Sequence, residues 1–377
     1  VVVIEGLPAG MPLGAEYIDT QLKRRQQGYG RGGRMDIERD RVEILSGVRH
    51  GLTLGSPAAL MIPNLDWENW RAVMAVDKPS SSSDEDTVTA PRPGHADLAG
   101  GMKYGVGDLR DILERASARE TAARVAAGAV FMSFLSHFGV EVAALVEEIG
   151  GIKADLPEHP GEEVFLKAES SPFRCPDDRA EALFKSKVDE TREKGDTLGG
   201  VFLVFARGVI PGLGSHVHWD RRLDSRLAAG LMSIPGIKGV EIGLGFRGAG
   251  FTGTGFHDEI VAMEEEDRPP WRFRRKTNRA GGVEGGISNG EDLSLRAFMK
   301  PIPTTMSPLE TVDLKNGRPV LAHKERSDVC AVPSAAVAGQ AMCAYVLAEA
   351  YLEKFGGDSL EEVRSSFDRY VSRIAEY

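Results

Sequence analysis

Four short stretches of this sequence combine arginine with glycine, histidine or aspartate. RRQQGYGRGGR (residues 24–34) sets Arg24, Arg25, Arg31 and Arg34 among four glycines, and RPGHAD supplies Arg92, His95 and Asp97. SARETAAR places Arg119 at the start of a helix, and ERSDVCAVPSAA joins Arg326 to Asp328. Guanidinium forks pair bidentately with phosphate and carboxylate. Glycine lets the backbone turn and approach a ligand where a side chain would clash, and a helix N-terminus offers free N–H groups to an anion. Each residue alone has an ordinary reading: a surface charge, a hydrogen-bonded structural histidine, a helix-start aspartate. Together they suit a small substrate carrying several anionic groups, a phosphorylated cofactor, or both.

Other chemistries fit less well. RGG-like runs also bind nucleic acid, but the chain carries a net charge of −10, and only one such run is present. Folded-looking segments flank it, and no aromatic platform for base stacking is evident. G-x-G-x-x-G occurs at Gly28-Gly30-Gly33 and at Gly243-Gly245-Gly248. A dinucleotide site needs a strand before the motif and a helix opening at its end. Here RMDIERDRVEIL reads as strand, and AGFTGTGF cannot open a stable helix. His216 and His218 could share a strand face, but no third metal ligand is obvious nearby. Cys175, Cys330 and Cys343 contain no C-x-x-C pair, which argues against a disulfide framework or a zinc site and suits a reducing compartment.

The elements that must position these groups follow from pattern and punctuation. The 377 residues are 42% hydrophobic and 27% charged, ordinary for a globular chain, with 44 glycines and few aromatics. No apolar run long enough to cross a membrane is expected, and the start lacks the charged region and cleavage site of a signal peptide. VVVIEGLPAGMPLG reads as strand then turn, and AEYIDTQLKRRQQG as a helix stopped at Gly28. DRVEILSGVRHGLTLGSPAALMIPN reads as two strands around a glycine turn. ASARETAARVAAGAVFMSFLSHFG reads as a closely packed helix with a Ser117/Glu120 capping box and a stop at Gly139. SAAVAGQAMCAYVLAEAYLEKFGG has the same character and stops at Gly356. GDTLGGVFLVFARGVIPGLG and IKGVEIGLGF read as buried strands. The Ser-rich segment at about 77–91 and the charged, Pro-broken segment at about 264–274 read as mobile surface loops. Strands and helices mix without βαβα alternation, which favours an α+β class over a doubly wound sheet. With no clean linker and no repeat, residues 1–377 are expected to form a single large domain.

At the arginine motifs the chain resembles the chorismate synthases. The blocks EGLPAGMPL, LKRRQQGYGRGGRM, SGVRHGLTLGSPAAL, RPGHADLAGGMKYG, SARETAARVAAGA, GDTLGG, GLGSHVHWDRRLDSRLA, KGVEIGLGF, GGVEGGISNG, MKPIPT and ERSDVCAVPSAA occur in order along essentially the whole chain. The resemblance implies helices sandwiched between antiparallel sheets, a cytoplasmic homotetramer, and neither nucleic acid nor membrane as a partner. It implies an anti-1,4-elimination of phosphate from 5-enolpyruvylshikimate 3-phosphate (EPSP), giving chorismate, in a reaction that requires reduced FMN. By the same resemblance, His95 and Asp328 are catalytic. Arg34, Arg92, Arg119, Arg326 and Ser117 grip the substrate. The FMN contacts are Arg115, Ala116, Ser117, Pro235, Gly236, Gly285, Lys300, Pro301, Ile302, Pro303, Thr304 and Arg326. Arg25 and Arg31 match positions assigned to NADPH, a cofactor of those members that reduce their own flavin.

The sequence departs from the family pattern at three places. The family's Gly-Glu-Ser-His-Gly block, with a second catalytic histidine, would precede EGLPAG, and the chain as given begins after it. Ala116 stands where the family has serine, and Pro235 lies at an expected flavin contact, both compatible with backbone contacts. The missing histidine block leaves a second class of function open, a protein that binds FMN and an anionic ligand without turnover.

Overall fold

The computed structural model describes residues 1–32, 39–77, 87–158, 160–263, 270–325 and 327–377. The elements that shape the site are, in chain order, β1 (Val2–Ile4), α1 (Ala15–Gln26), β2 (Glu43–Ile44), β3 (Ala58–Met61), α2 (Asp97–Tyr104), α3 (Thr121–Ser136), β4 (Glu141–Ile149) and β5 (Ile152–Lys153). There follow α4 (Glu162–Ser170), α5 (Asp178–Glu193), β6 (Gly200–Arg207), α6 (Leu223–Met232), β7 (Ile237–Ile242), β8 (Leu293–Met299), α7 (Val332–Phe355) and α8 (Leu360–Glu376). The class is α+β, as the absence of alternation indicates.

The larger sheet is antiparallel, in the order β5-β4-β6-β8-β7. Its central strand β6 is apolar on nearly every residue because both faces are covered, which removes the usual alternation. Phe202, Val204 and Ala206 point into the main core, whereas Leu203 and Phe205 join Leu145, Phe165 and Ala168 beneath α4. On the main-core face lie α3 and α7, with α1 beyond them. The small sheet β1-β3-β2 closes the far side, where Ile4, Ala58 and Leu60 join Ile18 and Leu22 of α1. A helical layer between two antiparallel sheets is therefore the observed architecture.

Small residues set the spacing in that layer. A methyl group at Gly128 of α3 would collide with Ala341 of α7, and one at Gly339 would collide with the Phe202 ring. The helices can approach this closely only because those side chains are absent. The 24-residue α7 is long and apolar enough to cross a membrane, contrary to the expectation of no such run. Most of it is buried inside the protein, as a core helix must be.

Several local expectations need correction. Ser117 caps a three-residue 3₁₀ turn (Ala118–Glu120) by accepting from the Arg119 N–H, and Glu120 pairs with Arg124 instead of closing a capping box. Helix α3 ends at Ser136, three residues before Gly139, whose φ of +74° completes the turn. The stretch read as two strands contains four, because Val48–Arg49 and Leu52–Thr53 form their own hairpin between β2 and β3. Within the segment expected to loop at 264–274, Phe273 and Arg274 belong to a strand (Phe273–Arg275) that pairs with Ile260–Ala262. Residues 78–86 and 264–269 of the two expected loops lie outside the described residues, as do residues 33–38 and Arg326.

Candidate active site

One end of the helical layer opens into a cavity of about 520 Å³. Its walls come from the end of α1 and the glycine loop after it, the turn before α2, the 3₁₀ turn leading into α3, the turn between α6 and β7, the segment after β8, and the start of α7. The first turns of α3 and α7 reach it through Thr121, Ser334 and Ala335, so the positive ends of two helix dipoles lie at a cationic wall. Ser334 fixes α7 against α1 by donating from Oγ to the Arg25 carbonyl, 2.6 Å.

The arginines are held by buried carboxylates. Arg25 is buried and donates from Nη2 to Asp40 Oδ2, 2.6 Å. Arg119 Nη1 lies 2.8 Å from the other oxygen of the same carboxylate. Two guanidinium groups thus share Asp40, whose side chain is 1% exposed. Burial pushes the Arg25 pKa down, Asp40 opposes that, and Arg31 and Arg119 push it down further. Arg25 Nε is buried without a hydrogen-bond partner among the described residues.

The glycine loop explains the third arginine. Gly30 adopts φ +89°, and a side chain there would press on Val188 and Cys330. The loop can therefore run flush against the strand-like segment before α7, where Val329 N donates to the Gly30 carbonyl, 2.8 Å. That places Arg31 Nη1 2.7 Å from Asp328 Oδ2, while Gly32 N donates to Oδ1 at 2.7 Å.

The fourth arginine belongs to a compact turn. Arg92 Nε donates to Asp97 Oδ2 at 2.9 Å, and its Nη1 donates to Thr304 Oγ1 at 2.9 Å. His95 Nδ1 lies 2.5 Å from Asp97 Oδ1. Burial pushes the Asp97 carboxyl up, but the hydrogen bonds from His95 and Arg92 outweigh it and hold the group well below the usual carboxylate range. Lys300 Nζ donates to the Gly94 carbonyl in this turn, and Lys300 N donates to the Gly236 carbonyl, 3.0 Å. Thr197 Oγ1 ties down the Ile302 carbonyl, 2.7 Å. The Lys300–Thr304 run and the Pro235–Gly236 turn are thereby one continuous wall.

Of the residues singled out from sequence, Arg25, Arg31, Arg92, His95, Ala116, Ser117, Arg119, Pro235, Gly236, Lys300, Pro301, Ile302, Pro303, Thr304 and Asp328 line this cavity. Arg115 and Gly285 do not, Gly285 lying in the hairpin between Val283–Glu284 and Ile287–Ser288. Arg34 and Arg326 are outside the described residues. His216 and His218 are exposed, and among the described residues no cluster of ligands could hold a metal. All three cysteines are buried thiols. Asn64, Trp67, Trp70, Met74 and Glu325 also line the cavity and were not foreseen. Two tryptophans three positions apart, in a chain with four, were the available signal. Asp40 had none: it sits in an irregular segment, and only the fold brings it to Arg25 and Arg119.

Fold and cavity together define an α+β protein with a cavity lined by arginine, lysine and histidine side chains. The family model for chorismate synthase matches residues 1–352. A chorismate synthase of Moorella thermoacetica is 56% identical over 375 residues, covering 100% of this chain and 96% of that protein. One from Desulforudis audaxviator is 54% identical, covering 99% and 94%. A solved structure described as "Crystal Structure of Chorismate Synthase" superposes with a TM-score of 0.78 at 44% identity, covering 100% of this chain and 94% of that one. The chain belongs to the chorismate synthase family.

Proposed function

We propose that this cavity binds EPSP and reduced FMN and catalyses the 1,4-elimination of phosphate that yields chorismate, a carbon–oxygen lyase reaction of aromatic amino-acid biosynthesis. The observation that carries the reading is the convergence of Arg25, Arg31, Arg92, Arg119 and Lys300 on one cavity beside His95 and Asp328. EPSP carries a phosphate and two carboxylates, and FMN a further phosphate, so both need fixed cations in a site poor in water.

The residues present fit a flavin. The cavity lies within the usual size of a cofactor site, roughly 300–1,000 Å³. Trp67, Trp70, Met74 and Ile302 offer apolar wall for a flat ring system, and the buried Arg25 Nε is a donor in need of an acceptor. Ala116, Ser117, Pro235, Gly236 and the Lys300–Thr304 run would hold it, with Arg115, Gly285 and Arg326 assigned by resemblance alone. Bound and reduced, it supplies electron density to the allylic system as phosphate leaves.

The protein's own groups do the rest. Arg92, Arg119 and Ser117, with Arg34 and Arg326 by sequence position, orient the substrate and stabilise charge on the departing phosphate. His95 holds or donates a proton near the cofactor. Asp328, oriented by Arg31 and Gly32, is the terminal proton acceptor. That engagement makes Arg31 a partner of Asp328, at a position that the resemblance assigns to NADPH in members that reduce their own flavin. The reading extends to a single domain, a cytoplasmic setting and a homotetramer. The test is anaerobic: chorismate absorbance and phosphate release should rise together with EPSP and photoreduced FMN. Oxidised FMN should support neither, and release of phosphate without reduced flavin would overturn the assignment.

A further inference from the structure

We propose that Asp97 is a positioning residue that fixes His95 as the Nδ1–H tautomer, presenting Nε2 to the cavity, while the same carboxylate anchors Arg92. The inference rests on the proposed role of His95 and adds the group that sets its proton.

A carboxylate has about four acceptor sites, and those of Asp97 are filled. Oδ2 accepts from the Arg92 backbone N–H at 3.0 Å and from Arg92 Nε at 2.9 Å. Oδ1 accepts from Arg92 Nη2 at 3.2 Å and lies 2.5 Å from His95 Nδ1. Two acceptors cannot sit that close, so Nδ1 must carry the proton. Arg92 Nη2 is 3.0 Å from Nδ1 and 3.3 Å from Nε2. A donor nearly equidistant from both ring nitrogens lies against the ring and is not aligned with either lone pair, so it does not compete for Nδ1. Nε2 is then the nitrogen left to take or give a proton in the cavity that His95 lines.

The surroundings hold this geometry. Asp97 is fully buried at the first residue of α2. Gly94 has φ +78°, and Lys300 donates to its carbonyl, which fixes the turn carrying His95. Within six consecutive residues, Arg92, His95 and Asp97 form one hydrogen-bonded unit.

The experiment uses ¹⁵N-histidine-labelled full chain, with the His95 resonances identified by their loss in His95→Gln. In the neutral ring, Nδ1 should show the shift of a protonated nitrogen and Nε2 that of an unprotonated one. Asp97→Asn should move the population toward Nε2–H. This readout needs neither flavin nor substrate, so it stands apart from the assignment of the reaction. In the anaerobic assay Asp97→Asn should lower kcat by about 10²-fold or more, in the range of one proton-transfer group. In a His95→Ala background the same change should cost kcat clearly less than in the native chain, the remainder being its hold on Arg92. A native Nε2–H tautomer would overturn the inference without any variant. So would an Asp97→Asn loss that is fully additive with His95→Ala, or one confined to KM, which would leave Asp97 as an anchor for Arg92 alone.

Discussion

Asp40→Asn removes one buried charge and almost no volume. Among the described residues Asp40 is the carboxylate that offsets Arg25, and both side chains are at most 5% exposed. Removing one partner of a buried pair costs about 3–5 kcal/mol, because the other charge stays buried without compensation. Unfolding 377 residues at about 2.1 cal/mol/K each gives an unfolding entropy of about 0.8 kcal/mol/K, so Tm should fall by about 4–6 °C. The double variant Asp40→Asn/Arg25→Met should recover much of that loss, since a buried pair replaced by apolar groups is often neutral. Calorimetry of native, single and double variants decides it. A single variant within about 1 °C of native, or a double variant worse than the single, would refute the view that Asp40 holds the arginine wall together.

Further outcomes follow from other sites. Asp97 has a depressed folded pKa, so it contributes stability that is present above the unfolded carboxylate value and lost as pH falls through the folded one. The stability gap between native and Asp97→Asn should therefore be constant from neutral pH to about pH 5 and shrink below about pH 4, measured by denaturant titration across pH. Gly128→Ala forces α3 from α7 and should cost about 1–3 kcal/mol, seen as a lower Tm with little change in ligand affinity. Burial pushes the Cys175 thiol up to about 11 and those of Cys330 and Cys343 up to about 12. A thiol reagent at neutral pH should label none in the native chain and all three after denaturation.

Local pattern carried much of the fold. Glycine stops and small-residue helices made α1, α3 and α7 legible, and the apolar run VFLVFA gave β6. What escaped was set by distant partners: the Val48–Thr53 hairpin, the strand at Phe273, and the role of Ser117, whose cap is taken by a 3₁₀ turn before α3. Most of the site was readable because glycine, arginine and histidine cluster in short motifs. Asp40 was not, because nothing near it in sequence says that two arginines, 15 and 79 positions away, will share it. Asp97 was visible in RPGHAD, but only the fold gives its carboxylate four donors.

If the elimination takes place in this cavity, filling the cavity must stop it. Ala116→Trp would place a large ring where Ala116 now lines the wall, and anaerobic turnover of EPSP with reduced FMN should be compared between native and variant at equal folded fraction. The native chain should yield chorismate and phosphate in equal amounts, and the variant neither. Undiminished turnover by the variant would put the chemistry elsewhere.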